Sequence, residues 1–159
     1  MDKENLRFRI GLSGSTTRKQ PEFLIKIDDE KLIHNKLTAA PKVTEYFDFD
    51  YTLEEGDHYI KIELLNKGFG DTVVDQNGEI IDDLLLNIDS IEIDDIEVGA
   101  IKWTGSIYEP IYPERYEREQ NRNGVALEKQ IKNCVNLGWN GTWKLQFASP
   151  FYIWLLENI

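Results

Sequence analysis

Short segments in which apolar and polar residues alternate recur along the first two thirds of the chain, and they restrict the fold more than any other feature. The clearest runs from Leu6 to Leu12 and places every second residue on one apolar face. Since successive side chains of a strand point to opposite faces, each such segment predicts a half-buried β-strand. The other predicted strands are Phe23–Ile27, Leu32–Leu37, Val43–Tyr51, His58–Leu65 and Leu84–Val98. A series of strands spaced by about 8–12 residues, with almost no helical periodicity, predicts an all-β, antiparallel, jelly-roll-like β-sandwich.

Turn residues separate these strands. Residues 28–31 (DDEK) predict a hairpin between the second and third strands, and Asp94-Asp95 predicts a tight turn within the last one. Residues 66–83 form a polar loop that contains the turn dipeptide Asn77-Gly78.

The last third of the chain differs in composition. Residues 102–116 are rich in Pro and Tyr and predict a linker, and residues 117–133 predict one or two helical turns interrupted at 121–124. Residues 136–147 predict an aromatic hairpin centred on Asn140-Gly141. Ser149 is the predicted N-cap of a short apolar terminal helix, with Pro150 in its first position. We therefore expect a sandwich over residues 1–99, with residues 100–159 packed on it or on a partner, as a single domain overall.

Charge excludes several partners. The 159 residues include 18 Lys and Arg against 29 Asp and Glu, which gives a net charge of -11. A chain this acidic is not expected to bind nucleic acid or to carry a polybasic membrane anchor. Residues 44–99 hold 17 acidic and only 2 basic residues. Repulsion among so many negative charges could be offset by solvent on exposed strand faces, by a basic partner or by a divalent cation.

Other function classes find little support in the residues. One Cys and two His provide neither a disulfide nor a zinc framework, and Cys134 has no nearby His in the sequence. No nucleophile-elbow or phosphate-loop motif occurs, so we expect no enzymatic activity. No apolar run is long enough to span a membrane, and the first ten residues do not resemble a signal peptide.

The acidic loop contains the candidate metal ligands. Calcium takes 6–8 oxygen ligands from carboxylates, amides and carbonyls. The predicted calcium ligands are Asn66, Asp71, Asp82 and Asp83. An EF-hand register fails, because it would place Val73 and Leu84 at ligand positions. The alternative is that residues 75–79 form only a hairpin tip.

Aromatic residues concentrate in the last third, which holds all four tryptophans. Exposed rings can stack on sugars or anchor a protein interface, and buried ones fill a core. The candidates for carbohydrate stacking are Trp103, Tyr108 and Tyr112. The candidates for contact with a partner or a second copy are Trp139, Trp143, Phe151, Tyr152, Trp154 and Leu155.

One family resemblance covers about residues 6–99. Residues 57–99 run through HYIKIELLNK, an acidic loop and DDLLLNIDSIEIDDIEVG, and residues 23–29 read FLIKIDD. This arrangement resembles calcium-dependent, xylan-binding carbohydrate-binding modules, which have an apolar strand ending in Asn-Asp, then a loop and a hairpin. The resemblance implies a jelly-roll sandwich in which Asn66, Asp82 and Asp83 hold a calcium ion that ligates sugar hydroxyls. Here Lys67 follows Asn66 in place of Asp.

The chain as a whole is also similar in style to small proteins of large tailed bacteriophages. That similarity implies a non-enzymatic structural, attachment or decoration protein of the virion. Its partners would be other virion proteins or a second copy, bound through the C-terminal third, together with a host-surface glycan. The alternative function is a soluble, calcium-dependent glycan-binding module. The expected location is the virion, and the alternative location is the cytoplasm of the producing cell before assembly.

Overall fold

Two antiparallel sheets packed face to face form the protein in a computed structural model, which describes residues 2–159. The strands are β1 (Lys3–Gly14), β2 (Glu22–Ile27), β3 (Glu30–Lys36), β4 (Glu45–Glu54), β5 (Gly56–Leu64), β6 (Val73–Val74), β7 (Ile80–Asp82), β8 (Leu86–Ile93), β9 (Ile96–Glu97), β10 (Ser106–Pro110), β11 (Ile131–Lys132), β12 (Asn136–Leu137) and β13 (Gly141–Ser149). The helices are α1 (Ile101–Thr104), α2 (Glu114–Arg122) and α3 (Phe151–Asn158).

The five-stranded sheet has the order β12-β8-β1-β4, with β9 paired to β8, and the six-stranded sheet has the order β11-β10-β13-β5-β2-β3. A separate β6–β7 ribbon lies within the loop between β5 and β8. The predicted all-β, antiparallel sandwich is confirmed, as are the hairpin after β2 and the tight turn between β8 and β9.

The core lies between the inner faces of the two sheets. Along β1, Leu6, Phe8 and Ile10 are buried, while the residues between them face outward. The Phe8 ring stacks on Phe49 of the neighbouring strand at 5.0 Å and meets Phe147 of the opposite sheet edge-on at 5.8 Å. This alternation is what the sequence pattern predicted.

The predicted hairpin over residues 136–147 is wrong. Its two arms lie in different sheets, because β12 pairs with β8 whereas β13 pairs with β5 and β10. Asn140 instead binds the loop after β5: its side chain accepts from Lys67 N–H at 2.8 Å and donates to Lys67 C=O at 2.9 Å. The Asn140-Gly141 pair therefore joins two sheets.

The helices also differ in detail from the prediction. Helix α2 begins at Glu114, inside the predicted linker, and stops before Gly124, whose φ is +77°. The predicted terminal helix exists as α3, but Pro150 occupies the N-cap position. Ser149 instead donates its hydroxyl to Glu4 of β1 at 2.8 Å. Within residues 2–159, no helix is long and apolar enough to cross a membrane.

Candidate functional site

The four predicted calcium ligands lie in one region, the segment between β5 and β8. Asn66 ties the start of this segment to β2. Its side-chain oxygen accepts the Glu22 N–H at 2.8 Å, and its amide donates to the Gln20 carbonyl at 3.0 Å. The amide of Asn66 is thus used in backbone hydrogen bonds, which tie the loop to the start of β2.

Asp71 and Asp82 are both paired with basic side chains from the β1–β2 loop. Asp71 accepts from Lys19 at 2.9 Å and from Gly68 N–H at 2.6 Å. Burial raises the pKa of Asp71, but these donors outweigh burial and the net pKa is lowered. Asp82 accepts from Arg18 at 2.6 Å and from the Thr16 hydroxyl at 2.7 Å, and the Arg18 hydrogen bond is the main cause of its lowered pKa.

Asp83 is paired with a lysine from its own loop. The Lys67 ammonium lies 2.6 Å from the Asp83 carboxylate and also donates to the Gly138 carbonyl at 2.5 Å. The Lys67 side chain is only 7% exposed. The Thr72 hydroxyl donates to the same oxygen of Asp83 at 2.7 Å.

This donor set does not fit a calcium ion. Calcium needs several oxygens that are free to turn their lone pairs toward one point. Here three carboxylates already accept from Arg18, Lys19 or Lys67, and the Asn66 oxygen accepts a backbone N–H. Among residues 2–159, no group of three acidic, histidine or cysteine side chains could hold a metal ion.

The predicted aromatic sites separate into buried and exposed rings. Tyr108, Trp143 and Phe151 are buried in the core, which corrects the expectation that they contact a sugar or a partner. The hydroxyl of Tyr108 donates to the Trp139 carbonyl, and the Trp143 indole donates to the Cys134 carbonyl at 2.7 Å. These rings fill the space between the sheets and satisfy their polar atoms internally.

The other predicted aromatic side chains are at least partly exposed to solvent. Trp103 of α1 is 47% exposed, and Tyr152 of α3 is 48% exposed. Tyr112 and Trp139 are half-buried and meet each other edge-on at 5.5 Å. Desolvation by burial and the nearby charge of Glu128 raise the pKa of Tyr112. Trp154 and Leu155 are partly buried against the core.

Among the predicted aromatic residues, Tyr152 lines a polar surface groove of about 300 Å³. The groove is lined by Asn5, Arg7, Asp50, Asp94, Asp95 and Tyr152. We call it the β1–α3 groove. It lies where the outward face of β1 meets the β8–β9 turn and the start of α3.

Strand register and turn conformation build the β1–α3 groove. Arg7 of β1 faces outward opposite Asp50 of β4. Asp94 and Asp95 form the β8–β9 turn with φ values of 50° and 64°, the left-handed conformation that a two-residue hairpin requires. Asp94 accepts from Arg7 N–H at 2.9 Å and from the Tyr152 hydroxyl at 3.1 Å, so its carboxylate joins three elements.

The groove presents planar hydrogen-bonding groups beside an aromatic ring. Arg7 and Asp95 form a loose ion pair at 3.8 Å, and both side chains are mostly exposed. Desolvation and the hydrogen bond to Asp94 raise the pKa of Tyr152, so its phenol stays neutral and keeps its proton. Three carboxylates against one guanidinium give the groove an excess of negative charge, which disfavours an anionic ligand.

Asn5, Arg7 and Asp50 line the groove but are not among the site residues predicted from the sequence. The alternation that predicted β1 and β4 also placed Arg7 and Asp50 on the outward faces of the two strands, and Asn5 precedes the predicted first strand. The polar residues on these outward faces could have indicated a binding surface. What the sequence lacked was the position of α3, which brings Tyr152 beside them.

Comparisons with known proteins bear on the fold. No protein-family model and no curated protein matches the chain. Among solved structures, the chain is similar to the selenomethionine form of vCBM60, from work linking two families of calcium-dependent carbohydrate-binding modules by circular permutation, at TM-score 0.50 and 14% identity. The match covers 88% of this chain and 89% of that one. The chain has a carbohydrate-binding-module-like fold.

A second similar structure is vCBM60 in complex with galactobiose, at TM-score 0.47 and 15% identity. That match covers 89% of this chain and 97% of that one.

Proposed function

We propose that this protein is a non-catalytic glycan-binding module that holds a neutral glycan in the β1–α3 groove. The observation that carries the proposal is the half-exposed Tyr152 ring standing beside the planar polar side chains of Arg7, Asp50 and Asp95. A pyranose ring offers an apolar C–H face and a rim of hydroxyls. The tyrosine ring matches the first, and carboxylate and guanidinium groups match the second.

Rigidity supports the same function. Binding loses less free energy to ordering when the groups that contact the ligand are already fixed. Arg7 and Asp50 sit on paired strands, and Asp94 is held by hydrogen bonds from β1 and α3. The backbone positions of Arg7 and Asp50 and the carboxylate of Asp94 are therefore set before a ligand arrives.

The test is a glycan array with the wild-type protein, followed by titration calorimetry with the strongest hit. Two variants accompany it. Tyr152→Ala removes the ring and its hydrogen bond to Asp94, and Leu156→Ala is the matched control on the same helix, where the side chain is 73% exposed and does not line the groove.

We expect at least one neutral glycan to bind, with at least a tenfold weaker affinity in Tyr152→Ala and a change below twofold in Leu156→Ala. One stacked ring supports a loss of this size, since about 1.4 kcal/mol corresponds to a factor of ten. An array without hits, or equal affinities for the two variants, would contradict the proposal.

A second function, docking to another protein through α3, is favoured by the apolar side chains that this helix exposes. Ile153 is 57% exposed, and Leu156 and Ile159 are exposed further along the chain. Docking on another virion protein in a bacteriophage particle, or on a second copy, would cover them.

Light scattering after size exclusion tests self-association: the wild type should be larger than a monomer, and Ile153→Ser/Leu156→Ser should be monomeric. Mass spectrometry of purified particles tests the virion placement.

A further inference from the structure

Three basic side chains converge on the acidic segment between β5 and β8. Arg18 and Lys19 reach it from the β1–β2 loop, and Lys67 stands at its start. Each lies within 2.9 Å of a carboxylate oxygen: Arg18 with Asp82, Lys19 with Asp71, and Lys67 with Asp83. Three positive charges therefore face three negative ones.

Lys67 is the most enclosed of the three. Its ammonium lies over the Trp139 ring, 5.2 Å from the ring centre, and donates to both the Asp83 carboxylate and the Gly138 carbonyl. A lysine that is 7% exposed keeps its charge at low cost only if it is paired in this way. It follows Asn66 directly, where the modules that the sequence resembles carry an aspartate.

The basic side chains also bridge distant parts of the segment. Arg18 donates to the Asp71 carbonyl at 2.6 Å as well as to the Asp82 carboxylate, so one guanidinium joins the chain that enters the β6–β7 ribbon to the end of β7. A bound calcium ion would connect separated oxygens of a loop in the same way.

We infer that Arg18, Lys19 and Lys67 serve as built-in counter-ions that replace the calcium implied by the resemblance. The segment between β5 and β8 keeps its shape through these side chains, and neither folding nor glycan binding requires a divalent cation. A calcium ion entering the cluster would have to displace ammonium or guanidinium groups that already neutralise it.

The first experiment measures the Tm of the wild-type protein in EDTA and in about 5 mM calcium chloride, with magnesium chloride as the control. A folded-state site with a Kd of about 1 mM would raise the Tm by about 2–4 °C at that concentration. We expect a shift below 1 °C. A calcium-specific rise of 2 °C or more would overturn the inference.

The second experiment exchanges Lys67. Lys67→Met keeps much of the stem but removes the charge, and we expect its Tm to fall by several degrees with no response to calcium. Lys67→Asp places a fourth carboxylate in the cluster, and we expect its lower Tm to rise again in calcium. A Lys67→Met protein with the wild-type Tm would contradict the counter-ion role, and Lys19→Met, at a more exposed position, tests that role if Lys67 variants do not fold.

This inference extends the proposed function but fails separately from it. An array without hits would end the glycan proposal and leave both Tm experiments standing. Glycan binding that disappears in EDTA would support the proposed function and overturn the calcium-independence inferred here.

Discussion

Glu4 connects the first strand to the last helix, and its replacement gives a prediction that can be worked from the structure. Its carboxylate accepts from the Ser149 hydroxyl at 2.8 Å and from the Phe151 N–H at 2.9 Å. Phe151 is the first residue of α3, whose N-cap residue Pro150 provides no side-chain cap. Glu4 therefore does the work of an N-cap from a distant strand.

The loss of stability expected for Glu4→Ala follows from these two hydrogen bonds. Loss of a capping side chain costs about 0.5–2 kcal/mol, and a hydrogen bond to a charged group contributes about 1.5–3 kcal/mol. Because the site is partly exposed, we expect Glu4→Ala to destabilise the fold by about 2 kcal/mol. For a domain of this size that corresponds to a Tm lower by about 4–8 °C. Glu4→Gln keeps an accepting oxygen, so it should lose about half as much.

Thermal unfolding measures the global effect, and hydrogen exchange locates it. The amides of α3 should exchange faster in Glu4→Ala, while those of β1 and β4 stay as slow as in the wild type. Since Tyr152 follows Phe151, glycan affinity should fall along with the protection of α3. A Tm within 1 °C of the wild type, together with unchanged exchange in α3, would refute the argument.

Three further predictions concern the sandwich itself. Trp143→Ala should lose about 3–5 kcal/mol of stability in denaturant titration, since it empties the largest fully buried side-chain site. Gly141→Ala should destabilise by at least about 1–3 kcal/mol in the same assay, because its Cβ would lie 2.3 Å from the Glu109 carbonyl oxygen at a φ of +148°. Burial lowers the pKa of His58, but hydrogen bonds to Asp28 and the Glu54 carbonyl outweigh it, so the pKa is raised above 6.5. The charge of His58 therefore stabilises the fold fully below pH 6.5 and loses that contribution as the pH rises through the folded-state pKa. The stability difference between wild type and His58→Gln should be larger at pH 6 than at pH 9, and a pH-independent difference would contradict this assignment.

Local patterns predicted most of the strands because burial alternates residue by residue. Strand β1 shows this from Leu6 to Ile10, where apolar residues alternate in the sequence and buried residues alternate in the structure. The same reasoning applied to GTWKLQFAS of β13 would have placed Trp143 and Phe147 on the buried face. Treating the tryptophans as a group, by composition alone, overlooked that parity.

The features that could not be predicted from the sequence depend on contacts between distant segments. The turn propensity of Asn140-Gly141 is local, whereas the partner that determines its role is Lys67, 73 residues earlier. The acidic loop was found from its composition, but Arg18 lies 64 residues from Asp82. Because no periodicity connects such pairs, the sequence located the carboxylates and not the basic side chains that neutralise them.

The position of β13 has a consequence for how the protein folds as it is made. This strand lies between β5 and β10 in the six-stranded sheet, yet it is the last strand along the chain. Until β13 emerges from the ribosome, the strands on both sides of it lack their shared neighbour and expose unpaired edges. Such non-local pairing is slow, and open edges promote aggregation. Completion of this sheet therefore waits for the synthesis of β13, and slower translation or lower temperature should increase the yield of folded protein.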